Sequence, residues 1–306
     1  PALGPDAAAA APPRICAVLP NLDSPDLVGE ALDGLLTRTD YPALEVVVVD
    51  NGSVDPRTLA LYERLAARGA IRLDRRPGPF NFSRMVNRGA ALAGRAHVLL
   101  FNNDVEVLDP HWLREMALCL RYPGAGIVGA RLLFPDRRVQ HAGVTVGAPG
   151  LASHWFYKAA EDEAGPQDRL RLRGSRSAVT GACMLISRRC LDAVGPFDEE
   201  RFRVAYNDVD FCLRARALGF GVVWTPFATL LHRESATRGS DKRLRNAPRF
   251  RRERAALRAA HGLDRVADPV LSPLWRAAPG APVPRLDPPP PRPRSFMGCP
   301  VDDPER

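Results

Sequence analysis

The stretch His97-Val98-Leu99-Leu100-Phe101-Asn102-Asn103-Asp104 decides how the rest of the chain is read. Four consecutive apolar residues run into a short polar tip that closes on a carboxylate. An apolar run of this length reads as a strand buried on both faces, the habit of parallel sheets. Ligands of an open parallel sheet collect on the loops that follow the carboxyl ends of its strands. An acidic residue at that edge is a natural ligand for a divalent cation, which favours oxygen donors. The plain alternative is a strand exit closed by polar turn formers.

Outward from this stretch, strand and helix patterns alternate. Ile15–Leu19 reads as a strand stopped by Pro20. Residues 25–36 place Leu27, Val28, Ala31, Leu32, Leu35 and Leu36 at helical spacing, with Ser24 as candidate N-cap. Leu44–Asp50 carries four valines and ends at Asp50-Asn51-Gly52-Ser53. A helix over 56–67, a strand over 70–73 and a helix over 83–92, with Ser83 as candidate cap, lead into the central strand. A helix over 110–120 and a strand at 126–129 follow it. This alternation predicts an α/β fold built on a doubly wound sheet.

Beyond residue 130 the character changes. Leu132–Phe134 and Val139–Val146 flank Pro135–Arg138 as a hairpin, and residues 150–177 are polar and loop-like. A strand over 179–186 and a helix over 208–218 complete a substrate-facing portion of the same domain. Residues 1–13 read as a tether, and 266–306 as a Pro-rich tail whose part from 277 onward is extended.

A chain of 306 residues with 45% hydrophobic and 25% charged content is an ordinary globular protein with room for a large core. Its net charge of +8 suits a phosphorylated substrate or an anionic membrane face. Zinc-finger spacing, a helix-turn-helix signal and aromatic-interleaved basic motifs are all missing, so no nucleic acid partner is expected. Cys16, Cys119, Cys183, Cys190, Cys212 and Cys299 show no paired metal spacing and sit mostly in apolar runs, which suits a reducing cytoplasm. No apolar run approaches the roughly 20 residues that span a bilayer, so membrane contact is peripheral at most. The basic segment Arg243–Arg258 reads as a solvated helix face, with anionic lipid contact as the alternative.

Several tips carry residues able to do chemistry. Asp50 and Asn51 end the second strand, where a carboxylate can accept a ribose hydroxyl or a base N–H, and Gly52 lets the backbone approach a ligand. Asn81 precedes a helix bearing Arg84 and Asn87, and a helix N-terminus suits an anion. Asn207-Asp208-Val209-Asp210 opens another helix, where the dipole favours a carboxylate and an ionised one can act as a base. Capping by Asn207 or Asp208 is the structural alternative there. His232 ends an apolar run, and imidazole is a common metal ligand. Neither a dinucleotide fingerprint, nor a P-loop, nor a nucleophile elbow is present.

Taken in order, VVVVDNGS, GPFNFSRMVNRGA, LLFNNDVEV, VQHAGVTVG, VTGACMLISR, GPFDE, NDVDFCLRARALG and HRES cover residues 14–240. The set resembles the family 2 inverting glycosyltransferases of the GT-A fold, and most of all their bacterial rhamnosyltransferase-like branch, which builds O-antigen and other surface polysaccharides. The resemblance implies one glycosyltransferase domain over 14–265: a donor half (14–130), an acceptor half (131–240) and a basic helix (241–265). It implies a dTDP-, UDP- or GDP-linked sugar donor, a saccharide or lipid-linked acceptor, and Mn2+ or Mg2+ as cofactor. Pro20, Asn21, Asp50, Asn51, Asn81, Arg84, Asn87, Asn102 and Asn103 are then the donor-binding set. Asp104 and His232 become metal ligands, Asp208 the catalytic base, and Gly181, Ala182, Asn207 and Asp210 the sugar and acceptor region.

Departures from the family pattern are Asn102 in place of the first acid of D-x-D, and Asn207 where relatives carry Glu. Asn21-Leu22-Asp23 also replaces the usual Thr-x-Asn. Two rivals follow. A sugar-1-phosphate nucleotidyltransferase would need a Gly-rich basic loop after Leu19, which is missing; a non-catalytic carbohydrate-binding scaffold would tolerate both asparagines.

Overall fold

The computed structural model describes residues 11–147, 151–233 and 246–263, together with 268, 270–271, 275–276 and 283–284. In chain order they form β1 (Ile15–Asn21), α1 (Pro25–Leu36), β2 (Leu44–Asp50), α2 (Pro56–Ala67), β3 (Arg72–Arg75), α3 (Phe82–Leu92), β4 (His97–Phe101), β5 (Val105–Val107) and α4 (Trp112–Cys119). The chain continues through β6 (Ala125–Leu133), β7 (Val139–His141), β8 (Val144–Gly147), β9 (Leu151–His154), β10 (Gly174–Ser175) and β11 (Cys183–Ile186). After these come α5 (Arg188–Val194), α6 (Asn207–Ala217), β12 (Gly221–His232) and α7 (Ala247–His261).

One mixed sheet organises the molecule, in the order β10-β12-β6-β11-β4-β1-β2-β3, with β5 added to β12 and β7 to β6. β1 to β4 run parallel, and β6 and β12 run parallel to each other. β11 lies antiparallel between β4 and β6, which leaves six strands pointing the same way. The central strand β4 is therefore parallel to β1 on one side only. Being buried on both faces gives it a continuous apolar run whichever way its neighbours point.

Alternation along the strands divides the core between the two faces of the sheet. Val18, Val47, Val98 and Leu100 pack on one face, under α3; Ala17, Val48, Leu99 and Phe101 pack on the other, under α1 and α4. Each such Val or Leu, fully buried, contributes about 1.5–3 kcal/mol relative to exposure. Contact between α3 and β1 is close enough that Gly89 is required. A Cβ there would stand 2.2 Å from Val18 Cγ1.

Pro20 does not stop β1. Asn21 offers its carbonyl to Asn51 on the β2 side, so the neighbouring Pro20 nitrogen faces β4, where pairing has already ended at Val18. Ser24 occupies the N-cap position of α1 but makes no side-chain cap bond, because it is left-handed at φ 57° rather than extended. Asn81, not Ser83, caps α3 by accepting from the Arg84 N–H, while the buried Ser83 hydroxyl donates to the Phe202 carbonyl. Neither Asn207 nor Asp208 is the N-cap of α6; that position is Tyr206.

The stretch 150–177 is more than a polar loop: described residues in it form β9 and β10 and bury Trp155, Phe156 and Leu170. Its apolar residues follow no period because the backbone turns repeatedly through positive φ, at Leu151, Phe156, Lys158, Gln167 and Asp168. Packing also passes residue 265. Asp268 accepts from the Val146 N–H and the Ser177 hydroxyl, and Leu271 joins the core. Farther on, β13 (Trp275–Arg276) pairs antiparallel with β14 (Val283–Pro284), which departs from the extended tail expected there. The rest of 266–306, residues 1–10 and Cys299 lie outside the described residues. Among the described residues no helix is long and apolar enough to cross a membrane, and the five described cysteines are free and buried.

Candidate active site at the carboxyl edge of the sheet

Asn21, Asp50, Asn102 and His232 all follow or end strands that run in one direction, so they meet at one edge. β11 runs the other way, which brings Gly181 and Ala182, just before it, to that same edge. The Asn102 N–H donates to the Ala182 carbonyl at 2.9 Å, and the Gly181 N–H donates to Asp208 Oδ2 at 2.8 Å. Asp208 is thus tied to the turn after β4 through Gly181-Ala182 by two hydrogen bonds, one to its carboxylate and one between backbone groups. The two aspartates singled out in the sequence share an edge.

Asp104 is 7% exposed, and its side chain meets a single partner among the described residues: His232 Nε2, at 3.1 Å from Oδ1. Gln140 Oε1 stands 2.6 Å from His232 Nδ1 and can only accept, so it takes the Nδ1 proton and fixes the ring with Nε2 turned toward Asp104. β5 aligns the pair, since Val105 lies opposite His232 in the β5–β12 ladder. Asn102 Oδ1 is buried without a hydrogen-bond partner, which in a folded protein marks a carbonyl awaiting a ligand, ion or water.

No group of three or more His, Cys, Asp or Glu among the described residues could hold a metal by itself. One carboxylate, one imidazole and an orphan carbonyl nonetheless fit an ion such as Mn2+ or Mg2+. Mg2+ characteristically takes only one or two protein carboxylates and completes its shell with substrate phosphates and water. Asn in place of the first acid of D-x-D thus leaves an oxygen at the site and removes a charge.

Asp208 sits in the first turn of α6, half-buried. Its Oδ1 accepts from the Val209 N–H and its Oδ2 from the Gly181 N–H, each at 2.8 Å, which leaves a second lone pair on each oxygen. The turn before it is strained. Tyr206, a bulky residue, is left-handed at φ 62° and packs its ring on Phe250 of α7. Glu253 of α7, buried, holds this turn by accepting the Val204 and Ala205 N–H groups, each at 3.0 Å. Asn207 Nδ2 donates to the Val204 carbonyl at 2.7 Å.

Other sequence candidates turn inward. Asp50 is fully enclosed and accepts from the Gly52 and Ser53 N–H groups, the Ser53 and Tyr62 hydroxyls, and Arg75 Nε. Its lone pairs are occupied by the protein, and it shapes the loop rather than facing outward. Gly52 makes that turn possible at φ 99°, where a Cβ would meet Pro77 at 2.9 Å. Tyr62, whose hydroxyl burial and Asp50 push toward higher pKa, also meets Asn21 Nδ2, and Asn103 Nδ2 donates to Asn21 Oδ1 at 2.6 Å. One polar chain therefore joins the tips of β1, β2 and β4. Asn51 reaches the Gly78 carbonyl across the same loop.

Asn81, Arg84 and Asn87 all bond to residues 197–199. Asn81 Nδ2 donates to the Glu199 carbonyl, Arg84 pairs with the Glu199 carboxylate, and Asn87 bonds to both Phe197 and Glu199. Asp210, 1% exposed, is held between Arg214 and His261 at 2.9 and 2.8 Å and does not face the edge. Sequence reasoning missed Gln140, Tyr62, Glu199, Glu253 and His261. The signal for Gln140 was its place in VQHAG; the others act through pairings that no spacing reveals. A surface cleft of about 430 Å³ lined by Asn87, Gly94, Arg188 and Asp192 opens away from Asp104, Asp208 and His232, and of the sequence candidates Asn87 alone borders it.

The sheet order, the aspartate at the carboxyl edge and the helix that carries Asp208 define a class, and comparison with known proteins gives it a name. Residues 12–252 match the family described as glycosyltransferase like family 2, and the chain belongs to that family. It is 39% identical over 230 residues, 75% of this chain, to the O-antigen biosynthesis protein RfbC of Myxococcus xanthus. An N-acetylglucosaminyl-diphospho-decaprenol L-rhamnosyltransferase of Mycobacterium tuberculosis is 26% identical over 228 residues, 69% of this chain and 73% of that protein.

The chain spans 29% and 18% of the length of the two curated relatives that match the longest stretches of it. In fold it is similar to a Pyrobaculum calidifontis mannosyltransferase solved with GDP-Man and Mn2+, at TM-score 0.57 and 20% identity, covering 80% of this chain and 64% of that one. The fold is GT-A.

Proposed function

We propose that this chain is an inverting glycosyltransferase that moves a sugar from a nucleotide-diphosphate donor to a hydroxyl of a saccharide or lipid-linked acceptor, at the cytoplasmic side of a bacterial envelope. One observation carries the reading. The Asp208 carboxylate, with a lone pair left on each oxygen, stands one peptide unit and two hydrogen bonds from the turn that bears Asp104. The named relatives in O-antigen assembly and rhamnosyl transfer support the reaction class and a deoxyhexosyl or hexosyl donor.

Asp104 and His232 would hold the divalent cation, with Asn102 Oδ1 within the same turn. Bound there, such a cation neutralises the charge that grows on the diphosphate leaving group. Asp208 takes the proton from the acceptor hydroxyl as that oxygen attacks the anomeric carbon. The bond from that carbon to the β-phosphate oxygen breaks on the opposite face, so the nucleoside diphosphate leaves with the electron pair and the anomeric centre inverts. A carboxylate is a far weaker base than an alkoxide, so the proton moves late, as the new bond forms. Gly181 holds Asp208 Oδ2 in place, and Gln140 fixes the His232 ring.

The test is a screen of dTDP-, UDP- and GDP-sugars, with Mn2+ or Mg2+, read by released nucleotide and by donor binding. Metal-dependent donor binding together with nucleotide release supports the reading. Sugar binding without either would favour the scaffold alternative and overturn it.

A further inference from the structure

Thr180, Gly181 and Ala182 lie just outside the sheet, ahead of β11, and side chains take up the amide groups of all three. The Thr180 N–H donates to His141 Nε2 at 3.3 Å, the Gly181 N–H to Asp208 Oδ2 at 2.8 Å, and the Ala182 N–H to the Thr180 hydroxyl oxygen at 3.3 Å. The direction of the Gly181 N–H is therefore set by what holds its two neighbours rather than by a strand ladder. At the Ala182 end, the Asn102 N–H grips a carbonyl. At the Thr180 end, the grip is the His141 ring, which is fully buried in β7.

The state of that ring follows from its partners. A backbone N–H can only donate, so Nε2 carries the lone pair and the proton of the neutral ring sits on Nδ1. His154 Nδ1 stands 2.9 Å from it as the acceptor. β7 reaches these groups through a break in register. Leu132 lies opposite His141 and Leu133 opposite Val139, so Gln140 is an extra residue opposite none. A bulge of this kind re-aims side chains. Here two consecutive residues serve two parts of one edge: Gln140 meets the His232 ring, and His141 meets the Thr180 amide.

We infer that His141 is a positioning residue for Asp208. By accepting the Thr180 N–H it fixes Thr180, and with it the Gly181 N–H that holds Asp208 Oδ2. It acts only through these two residues. Its kinetic consequence rests on the glycosyltransferase reading; its structural consequence does not.

The test is NMR on the isotope-labelled full chain, with turnover measured alongside. In wild type at neutral pH, the His141 ring should carry its proton on Nδ1 and none on Nε2. A proton on Nε2 overturns the inference without any variant. The Gly181 amide is then compared between wild type and Asp208→Asn, which isolates the part of its shift due to the carboxylate. His141→Phe keeps a ring without an acceptor, and His141→Leu is the second choice if that variant fails to fold. Either should lose most of the carboxylate-dependent shift while amides of β1 and β2 stay in place. His141→Gln can bring a carbonyl oxygen to the place of Nε2 and should restore it. A Gly181 amide unmoved by both acceptor-free variants overturns the inference.

On whichever dTDP-, UDP- or GDP-sugar wild type turns over, His141→Phe should lower kcat for nucleotide release about tenfold or more, with donor KM unchanged. His141→Gln should recover most of that loss. An unchanged kcat in His141→Phe counts against positioning. Failure of wild type to release any nucleotide sinks the glycosyltransferase reading instead, and the Gly181 amide still decides the role of His141.

Discussion

Two groups of asparagines and acids lie around the same sheet, built from the same residue types and held in opposite ways. Around Asp50, Asn87, Asp210 and Glu253, the lone pairs and N–H groups meet other parts of the protein, and the side chains act as latches. Around Asn102, Asp104 and Asp208, the protein leaves acceptor capacity unused: an orphan carbonyl, a carboxylate with one imidazole partner, and two open lone pairs. A buried polar group left unsatisfied costs about 1–3 kcal/mol, so the Asn102 carbonyl is the member of the second group that gains most from a ligand, ion or water. Residue type and strand-end position do not separate latch from site. Residual hydrogen-bonding capacity is where these two groups differ.

The contrast can be broken most directly at Asp208. Asp208→Asn keeps the shape and removes the base, so transfer should fall about 10²–10⁴-fold while donor binding persists, read by nucleotide release and by calorimetry. Next comes the Asp104 and His232 pair. Asp104→Ala should weaken Mn2+-dependent donor binding by about 10–100-fold, the scale on which even outer partners of a metal site act, with little change in melting temperature.

The latches should behave the other way round. Glu253→Ala strands the Val204 and Ala205 N–H groups and should cost about 2–4 kcal/mol of stability by urea unfolding, with donor affinity unchanged. Asn87→Ala should cost about 1–3 kcal/mol in the same assay. If Asn87→Ala instead weakened donor binding without loss of stability, that residue would belong with the site.

The smallest effect is in pH. His141 is enclosed, and burial first, then the charges of His154, Arg176 and His232, hold its pKa well below the usual 6.5. Below pH 6.5 the unfolded chain therefore takes up a proton that the folded one refuses. Stability is present above that pH and lost as pH falls, by at most about 1.4 kcal/mol per unit. Melting at pH 7.5 and 5.5 checks this, with His141→Asn expected to flatten the slope.

The donor half was legible because its rules are local. Four valines before Asp50, helical spacing over 25–36 and the apolar run before Asn102 gave elements whose ends match the structure closely. The places of Asp104, Asp208 and His232 at the ends of elements were legible for the same reason. Non-local pairing was not legible. Asn87 meets Phe197, and Asp50 closes on Arg75, through contacts that leave no periodic trace. The segment from Leu151 to Ser177 resisted because left-handed residues there break the alternation that would have flagged Trp155 and Phe156 as core. The lost charge at Asn102 could be read from the sequence, whereas the burial of its carbonyl without a partner among the described residues could not.

The grip of Glu253 on the turn before Asp208 bears on how the protein should be cut for expression. The family match ends at residue 252, one position short of that carboxylate. A fragment trimmed to the match would carry every motif residue and still release the backbone that leads into Asp208. A boundary drawn from the family match alone would therefore leave the Val204 and Ala205 N–H groups without their acceptor, and a sound one should reach at least to Leu271.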